Sequence, residues 1–246
     1  LARQVFGAVW QDLWYTQVIS DHLEAALRHV RGLSGGIQKI CIAIPMQHGK
    51  TTMLEMFIAR ALGIDPSLRV INSTYSVNFA RERITNCQRI MNSNAYKAAF
   101  TTRYGQSSAV SDDDDRAVDK VRNTANMFAV RKLEPNGKLV DMGGSFLSTS
   151  LGASLNGRPY DVGLIDDPHK NMEEAASEAA RRHIEERYDA IFLSRQQERS
   201  VQIIVSSRLH PNDLIGYVVP RWAKAGVSHA ILRFPAILDE PNSPYD

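Results

Sequence analysis

The stretch Ile44-Pro45-Met46-Gln47-His48-Gly49-Lys50-Thr51-Thr52 constrains this chain more than any other feature. It joins an apolar, β-branched run, Lys39 to Ile44, to a segment in which Leu54, Phe57, Ile58 and Ala61 recur at the spacing of one helix face. A buried strand feeding straight into an amphipathic helix leaves the first N–H groups of the helix pointing at the connecting loop. Phosphate suits such a loop. Gln47, His48, Gly49, Lys50, Thr51 and Thr52 can line it, Lys50 can set its ammonium against phosphate oxygens, and the Thr51 hydroxyl can ligate Mg²⁺. The loop departs from G-x-x-x-x-G-K-[ST] at the first glycine, where Ile44 is followed by Pro45. An ordinary strand-to-helix turn is the alternative.

Three further runs read as buried strands: Arg69 to Ser73, Val162 to Ile165 and Val201 to Ser206. Between them lie helical patterns, one carrying Ala80, Ile84, Cys87 and Met91, another running from Glu173 to Phe192. Asn171 is placed to cap the latter, with Glu174 three residues on and Ala176, Ala180, Ile184 and Tyr188 as its stripe. Strands alternating with helices imply a parallel α/β sheet. The middle third breaks the rhythm: Thr101 to Ala125 is polar, contains Asp112-Asp113-Asp114-Asp115, and reads as a surface excursion. Met127 to Leu133 and Lys138 to Met142, joined by Glu134-Pro135-Asn136-Gly137, read as a hairpin added antiparallel to the sheet. The first thirty residues read as helical and carry Trp10, Trp14, Tyr15 and Gln17 ahead of a break at Gly32 to Gly36.

Two strand ends carry chemistry. Tyr160-Asp161-Val162-Gly163-Leu164-Ile165-Asp166-Asp167 delivers adjacent carboxylates about 115 residues beyond the loop lysine. Asp166 can serve the Mg²⁺ shell while Asp167 turns toward an attacking water, although paired acids at a strand end also make turns and caps. Gln202 to Ser206 ends in Ser207-Arg208-Leu209-His210-Pro211-Asn212-Asp213, polar residues able to reach a γ-phosphate or its water, or simply to cap a helix.

Composition sets the outer bounds. In 246 residues, 29 Lys and Arg oppose 27 Asp and Glu, so any nucleic-acid contact must be local. Hydrophobic residues at 43% and charged residues at 23% exclude a disordered chain, and no apolar run approaches the roughly 18 residues that span a bilayer. Cys41 and Cys87 alone suit a reducing compartment and buried packing. His22, His29 and His48 lack metal-ligand spacing, and the Asp112 to Asp115 run reads as a solvated loop in preference to a nuclease metal site. The start, Leu1-Ala2-Arg3-Gln4, has neither Met nor a signal-peptide layout, so the chain is expected to be a piece of a larger protein.

In their order and wording these motifs resemble the large terminase subunit of tailed bacteriophages, the motor that packages DNA into a procapsid. Ile44 to Thr52 is similar to that family's deviant Walker A loop, Asp166-Asp167-Pro168-His169-Lys170 to its Walker B segment, and Ser206 to Gly216 to its coupling segment. The resemblance implies an α/β P-loop NTPase of the additional-strand, catalytic-carboxylate type, with a central, mostly parallel sheet flanked by helices and an antiparallel addition. It implies that Lys50 binds phosphate, Thr51 and Asp166 hold Mg²⁺, Asp167 is the catalytic carboxylate where the family usually has Glu, and Ser207 and Arg208 couple hydrolysis to motion. Ser154-Leu155-Asn156-Gly157-Arg158 is similar to the family's S-x-x-G-R stretch, making Arg158 a candidate arginine finger toward a neighbouring subunit, with a surface turn arginine as the alternative. Met46 and Gln47 stand where many members carry a loop arginine. Trp14, Tyr15 and Gln17 are candidates for adenine contact, core packing being the alternative for the aromatics. Arg81 and Arg83, on the helix after Asn72-Ser73-Thr74-Tyr75-Ser76, are read as a solvated face, with contact to phosphate or DNA as the alternative.

The resemblance further implies ATP as substrate, double-stranded DNA as cargo, a homo-oligomeric ring, pentameric by family, and portal protein and small terminase subunit as partners, in the cytoplasm of an infected bacterium and without a membrane. Residues 1–246 are expected to form one motor domain: a helical segment at 1–36, the P-loop core at 37–235 and the start of a linker at 236–246, the nuclease domain being absent. A helicase-like or remodelling ATPase, and a nucleotide-binding assembly switch with little turnover, are the rival functions.

Overall fold

The computed structural model describes Val5 and residues 13–104, 124–153 and 157–235. Trp10, the Asp112 to Asp115 run, Ser154 to Asn156 and the linker at 236–246 lie outside the described residues. In chain order the elements are α1 (Trp14–Val30), β1 (Lys39–Ala43), α2 (Lys50–Ile64), β2 (Arg69–Thr74), α3 (Val77–Asn92) and α4 (Asn94–Ala99). They continue with β3 (Thr102–Tyr104), β4 (Met127–Leu133), β5 (Leu139–Ser150), β6 (Tyr160–Asp166), α5 (Met172–Ala176) and α6 (Glu178–Tyr188). A π-helical turn (Asp189–Leu193), β7 (Gln196–Ser206), α7 (Leu214–Lys224) and β8 (His229–Arg233) complete them.

The strands form one eight-stranded sheet in the order β3-β4-β5-β2-β6-β7-β1-β8. From β5 to β8 every pairing is parallel, whereas β3 and β4 add antiparallel at one edge. This is the α/β arrangement the sequence implies. The defining feature is β7, which lies between the loop strand β1 and the carboxylate strand β6.

Both faces of the sheet are covered, which is why its strands read as nearly continuous apolar runs. In β1 the alternation is explicit. Ile40 and Ile42, followed by Ile44, enter the core shared with α1, α2 and α3, while the smaller Cys41 and Ala43 enter the core shared with α6 and α7. The predicted helical stripes are buried in full on α2 and α3, at Leu54, Phe57, Ile58 and Ala61 and at Ala80, Ile84, Cys87 and Met91. Both cysteines are buried and free.

Two expectations need correction. The helix expected over Glu173 to Phe192 breaks at Ser177, whose extended backbone ends α5 and whose hydroxyl caps α6. The break shifts the helical phase, so Ala175 is buried in place of Ala176, while Ile184 and Tyr188 keep their expected places. Asn171 does cap α5, accepting from the Glu174 N–H at 2.9 Å. The hairpin forms as expected, with Gly137 at φ 81° in its turn, yet its second strand runs on to Ser150. Its polar continuation, Ser145 to Ser150, pairs parallel with β2, and Ser148 Oγ accepts from the buried Asn72 amide at 3.1 Å.

Candidate nucleotide site

The parallel strands β6, β7 and β1 are neighbours and end at the same edge of the sheet. The backbone beyond each is bent. Among the described residues the non-glycine positions with positive φ are Gln47, Asp167 and Arg208, at 65°, 46° and 47°, one after each of these strands. Each such residue costs about 1–3 kcal/mol, and clustering of that cost at one edge marks a site.

Gly49 precedes α2 at φ 72°, where a Cβ would be strained, and no side chain caps the helix. With no acidic residue in its first turn, α2 presents free N–H groups and the positive end of its dipole to an anion. Lys50, only 8% exposed, begins this helix, with Thr51 and Thr52 next in its first turn. Its ammonium lies 2.8 and 2.6 Å from the two carboxylate oxygens of Asp167 and donates to Ser207 Oγ at 2.5 Å. The Ser207 N–H donates to Asp167 Oδ1 at 3.2 Å, and the Asp167 N–H to the Val205 carbonyl at 2.9 Å. Residues from two other chain segments thus close on the Lys50 ammonium.

Thr51 donates to Asp166 Oδ2 at 3.3 Å. Burial, and then the charge of Asp167, push the Asp166 carboxyl up to about 6, against the pull of Arg83, Lys50 and the Thr51 hydroxyl. Asp166 Oδ1 is buried with no hydrogen-bond partner. An unsatisfied carboxylate oxygen beside a threonine hydroxyl is a hard donor set that fits Mg²⁺.

Beyond Ser207, Arg208 turns away from the lysine. Its Nε lies 3.0 Å from Asp213 Oδ2 and its Nη2 donates to the Pro211 carbonyl at 2.9 Å. Asp213 also caps α7, accepting from the Gly216 N–H at 3.1 Å. The segment therefore reaches the lysine cluster through Ser207 and starts a helix through Asp213.

On the other flank of the loop, the Tyr15 ring lies 5.7 Å from that of His48 and 6.0 Å from that of Phe234. Partial burial raises the Tyr15 phenol above its ordinary value. A cleft of about 850 Å³ opens beside this group, lined in part by Ile44, Pro45, Ser207, Arg208, Arg233 and Phe234. The Gln17 amide instead donates to Asp21 of its own helix at 2.8 Å. Arg158 precedes β6 at the far edge of the sheet, its guanidinium 2.8 Å from Met127 Sδ. Six residues of strand separate the start of β6 from Asp166, about 20 Å, so Arg158 does not reach its own chain's loop.

Arg83 differs from its expected place on a solvated face, being 9% exposed and ion-paired with the buried Glu55 of α2. Its position signals this, since 83 falls in the stripe of 80, 84 and 87. Glu55 likewise sits among the buried residues of α2, and two opposite charges on facing apolar stripes can satisfy one another. Phe234 had no local motif to reveal it.

A strand–glycine–lysine–threonine–helix loop, a carboxylate strand and a third strand inserted between them define a P-loop NTPase fold of the additional-strand type. No protein-family model and no curated protein matches the sequence. Among solved structures, the chain is similar in fold to the large terminase of bacteriophage HK97, at a TM-score of 0.51 and 12% identity over 89% of this chain. The match spans 40% of the HK97 protein's length. The Thermus phage P74-26 large terminase ATPase domain aligns over 72% of this chain and 62% of its own, at a TM-score of 0.42 and 14% identity. S. cerevisiae dbp5 aligns over 94% and 51%, at 0.46 and 12%. The likeness to phage large terminases expected from the motifs is met at the level of fold.

Proposed function

We propose that this chain is the ATP-hydrolysing motor domain of a phage large terminase, in which turnover drives double-stranded DNA into a procapsid. The observation that carries the reading is the convergence of Lys50, Asp167 and Ser207 beside Thr51 and Asp166.

Lys50 is ion-paired with Asp167. Phosphate oxygens arriving at the N-terminus of α2 compete for that ammonium, and as Lys50 turns to them the Asp167 carboxylate is released. Asp167 then orients a water for in-line attack on the γ-phosphorus and can accept its proton, while Lys50 stabilises the charge on the transferring group. Thr51 and Asp166 would hold Mg²⁺, which when bound neutralises phosphate charge. Ser207 contacts both Lys50 and Asp167, so the exchange is felt at the end of β7 and passes through Arg208 to the Asp213 cap of α7. The α2 N-terminus and the Tyr15, His48 and Phe234 group would receive opposite ends of ATP, and Arg158 would serve a neighbouring subunit of a ring, pentameric by family resemblance. Portal protein and small terminase subunit are the partners this reading calls for, in the cytoplasm of an infected bacterium. Residues 1–246 are proposed as one motor domain. Among the described residues no helix is long and apolar enough to cross a membrane.

Lys50→Ala and Asp167→Asn should each abolish phosphate release by the purified protein, and near-normal release by either variant refutes the assignment. Release measured alone, with duplex DNA and at ring-forming concentration separates the rivals. Steady turnover excludes an assembly switch, and DNA stimulation that fades with salt supports a backbone-gripping motor.

A further inference from the structure

Arg83 stands on α3, outside the loop, carboxylate and coupling segments, yet it ends beside the metal-site carboxylate. Its side chain is 11% exposed, and its Nη1 donates to Glu55 Oε1, which also accepts from the Asn86 amide at 2.9 Å. Arg83 Nε has no hydrogen-bond partner and lies 3.7 Å from Asp166 Oδ2. The same Asp166 oxygen accepts from Thr51, while Oδ1 is unsatisfied. Two buried, incompletely matched groups of opposite charge therefore face each other, one on the strand that supplies a metal carboxylate, the other clamped to the helix that begins at Lys50. A guanidinium fixed by a carboxylate on one side has little freedom to move, so it can hold the Asp166 carboxylate in one orientation.

We propose that Arg83, anchored by Glu55, is a positioning residue that aims Asp166 at the divalent cation of a bound nucleotide. The inference rests on the nucleotide-binding reading above. Arg83 acts through Asp166, whose Oδ2 lies 3.7 Å from its Nε. Burial raises the Glu55 carboxyl above its ordinary value, opposed by Asn86 and Arg83, so the anchor itself depends on the pair remaining intact.

The test is a Mg²⁺ titration of mant-ADP binding to the whole chain. Truncating Arg83 alone would strand a buried Glu55, so the informative variant is Arg83→Met combined with Glu55→Gln, which removes both charges, with Arg83→Lys as the conservative comparison. Expected is a roughly tenfold rise in the Mg²⁺ concentration for half-maximal binding in the double variant, partial rescue by Arg83→Lys, and unchanged mant-ADP binding in EDTA. In turnover, kcat falls at limiting Mg²⁺ and recovers at high Mg²⁺. A double variant with wild-type Mg²⁺ dependence overturns the inference, as does loss of binding in EDTA, which marks a merely structural role. If the wild type binds nucleotide without regard to Mg²⁺, the metal reading falls and this inference with it, an outcome recognisable before any variant is made.

Discussion

Asp166→Asn should make the nucleotide-free protein more stable while removing its Mg²⁺-dependent turnover. The carboxyl is 4% exposed, its Oδ1 lacks a partner, and it is pushed from 3.8 to about 6 by burial and the adjacent Asp167. That position already includes the favourable pull of Arg83, Lys50 and Thr51, so what remains is a net cost of ionising the group inside the fold. Two pKa units correspond to about 3 kcal/mol. The sign follows from proton uptake. Below pH 3.8 the carboxyl is protonated folded or unfolded and nothing is lost. Between 3.8 and about 6 the unfolded chain releases its proton while the folded chain keeps it, so stability falls as pH rises, levelling off above 6. An amide has no such proton to lose. At pH 7.5 the variant should gain roughly 1–3 kcal/mol, about 2–10 °C in Tm for a chain of this size, and the gain should shrink toward zero near pH 4. Differential scanning fluorimetry across that range, with EDTA present, is sufficient. A lower Tm at pH 7.5, or a gain of equal size at pH 4 and 7.5, would refute the reasoning.

Lys39 offers a second case of buried charge. It is 2% exposed, with its ammonium on Gln196 Oε1 at 2.6 Å and the Trp222 ring beneath it, and burial lowers it to about 7. Its folded value lies below the unfolded 10.5, so stability should rise from pH 7 to 10.5, and Lys39→Met should gain about 2–4 kcal/mol at pH 7 in urea unfolding with that slope reduced. Asp213→Ala loses the α7 cap and the Arg208 pair, and should cost about 1–3 kcal/mol while leaving mant-ADP affinity within twofold; unchanged stability would contradict the cap's role. Arg158→Ala should leave Tm and nucleotide binding at low concentration unchanged, yet lower phosphate release by at least about 100-fold at ring-forming concentration. Equal loss at all concentrations would place the arginine's role within its own chain.

Much of this was legible because its causes are local. The apolar runs that became β1, β2, β6 and β7 are recognisable from residue type alone, as is the Asn171 cap, and the loop declares itself through Gly49-Lys50-Thr51. The second half of β5 was not legible, because Ser145 to Ser150 has no apolar alternation; it is a strand because β4 and β2 pair with it from its two sides. Nor was Phe234, which follows a short edge strand and meets Tyr15 across more than two hundred residues. Arg83 was misread from its charge, when its place in the stripe of Ala80, Ile84 and Cys87 was the better guide. Position outweighs residue type when a second helix supplies an opposite charge.

The strand order explains why the third polar segment belongs to the site at all. The loop strand and the carboxylate strand are not neighbours; β7, reached thirty residues after β6 ends, fits between them. Its last residues are bonded to both sides, the Ser206 carbonyl accepting from Ile44 N–H at 3.1 Å and the Val205 carbonyl from Asp167 N–H at 2.9 Å. A shift of the Ile44 or Asp167 backbone relative to the other would therefore strain β7 or move its end. That end continues into Ser207, which contacts Lys50 and Asp167, and Arg208, which contacts the cap of α7. A residue at either outer strand of the sheet could follow one partner while ignoring the other. A residue at the end of the inserted strand contacts both, so under the proposed mechanism it would respond when a phosphate takes Lys50 from Asp167.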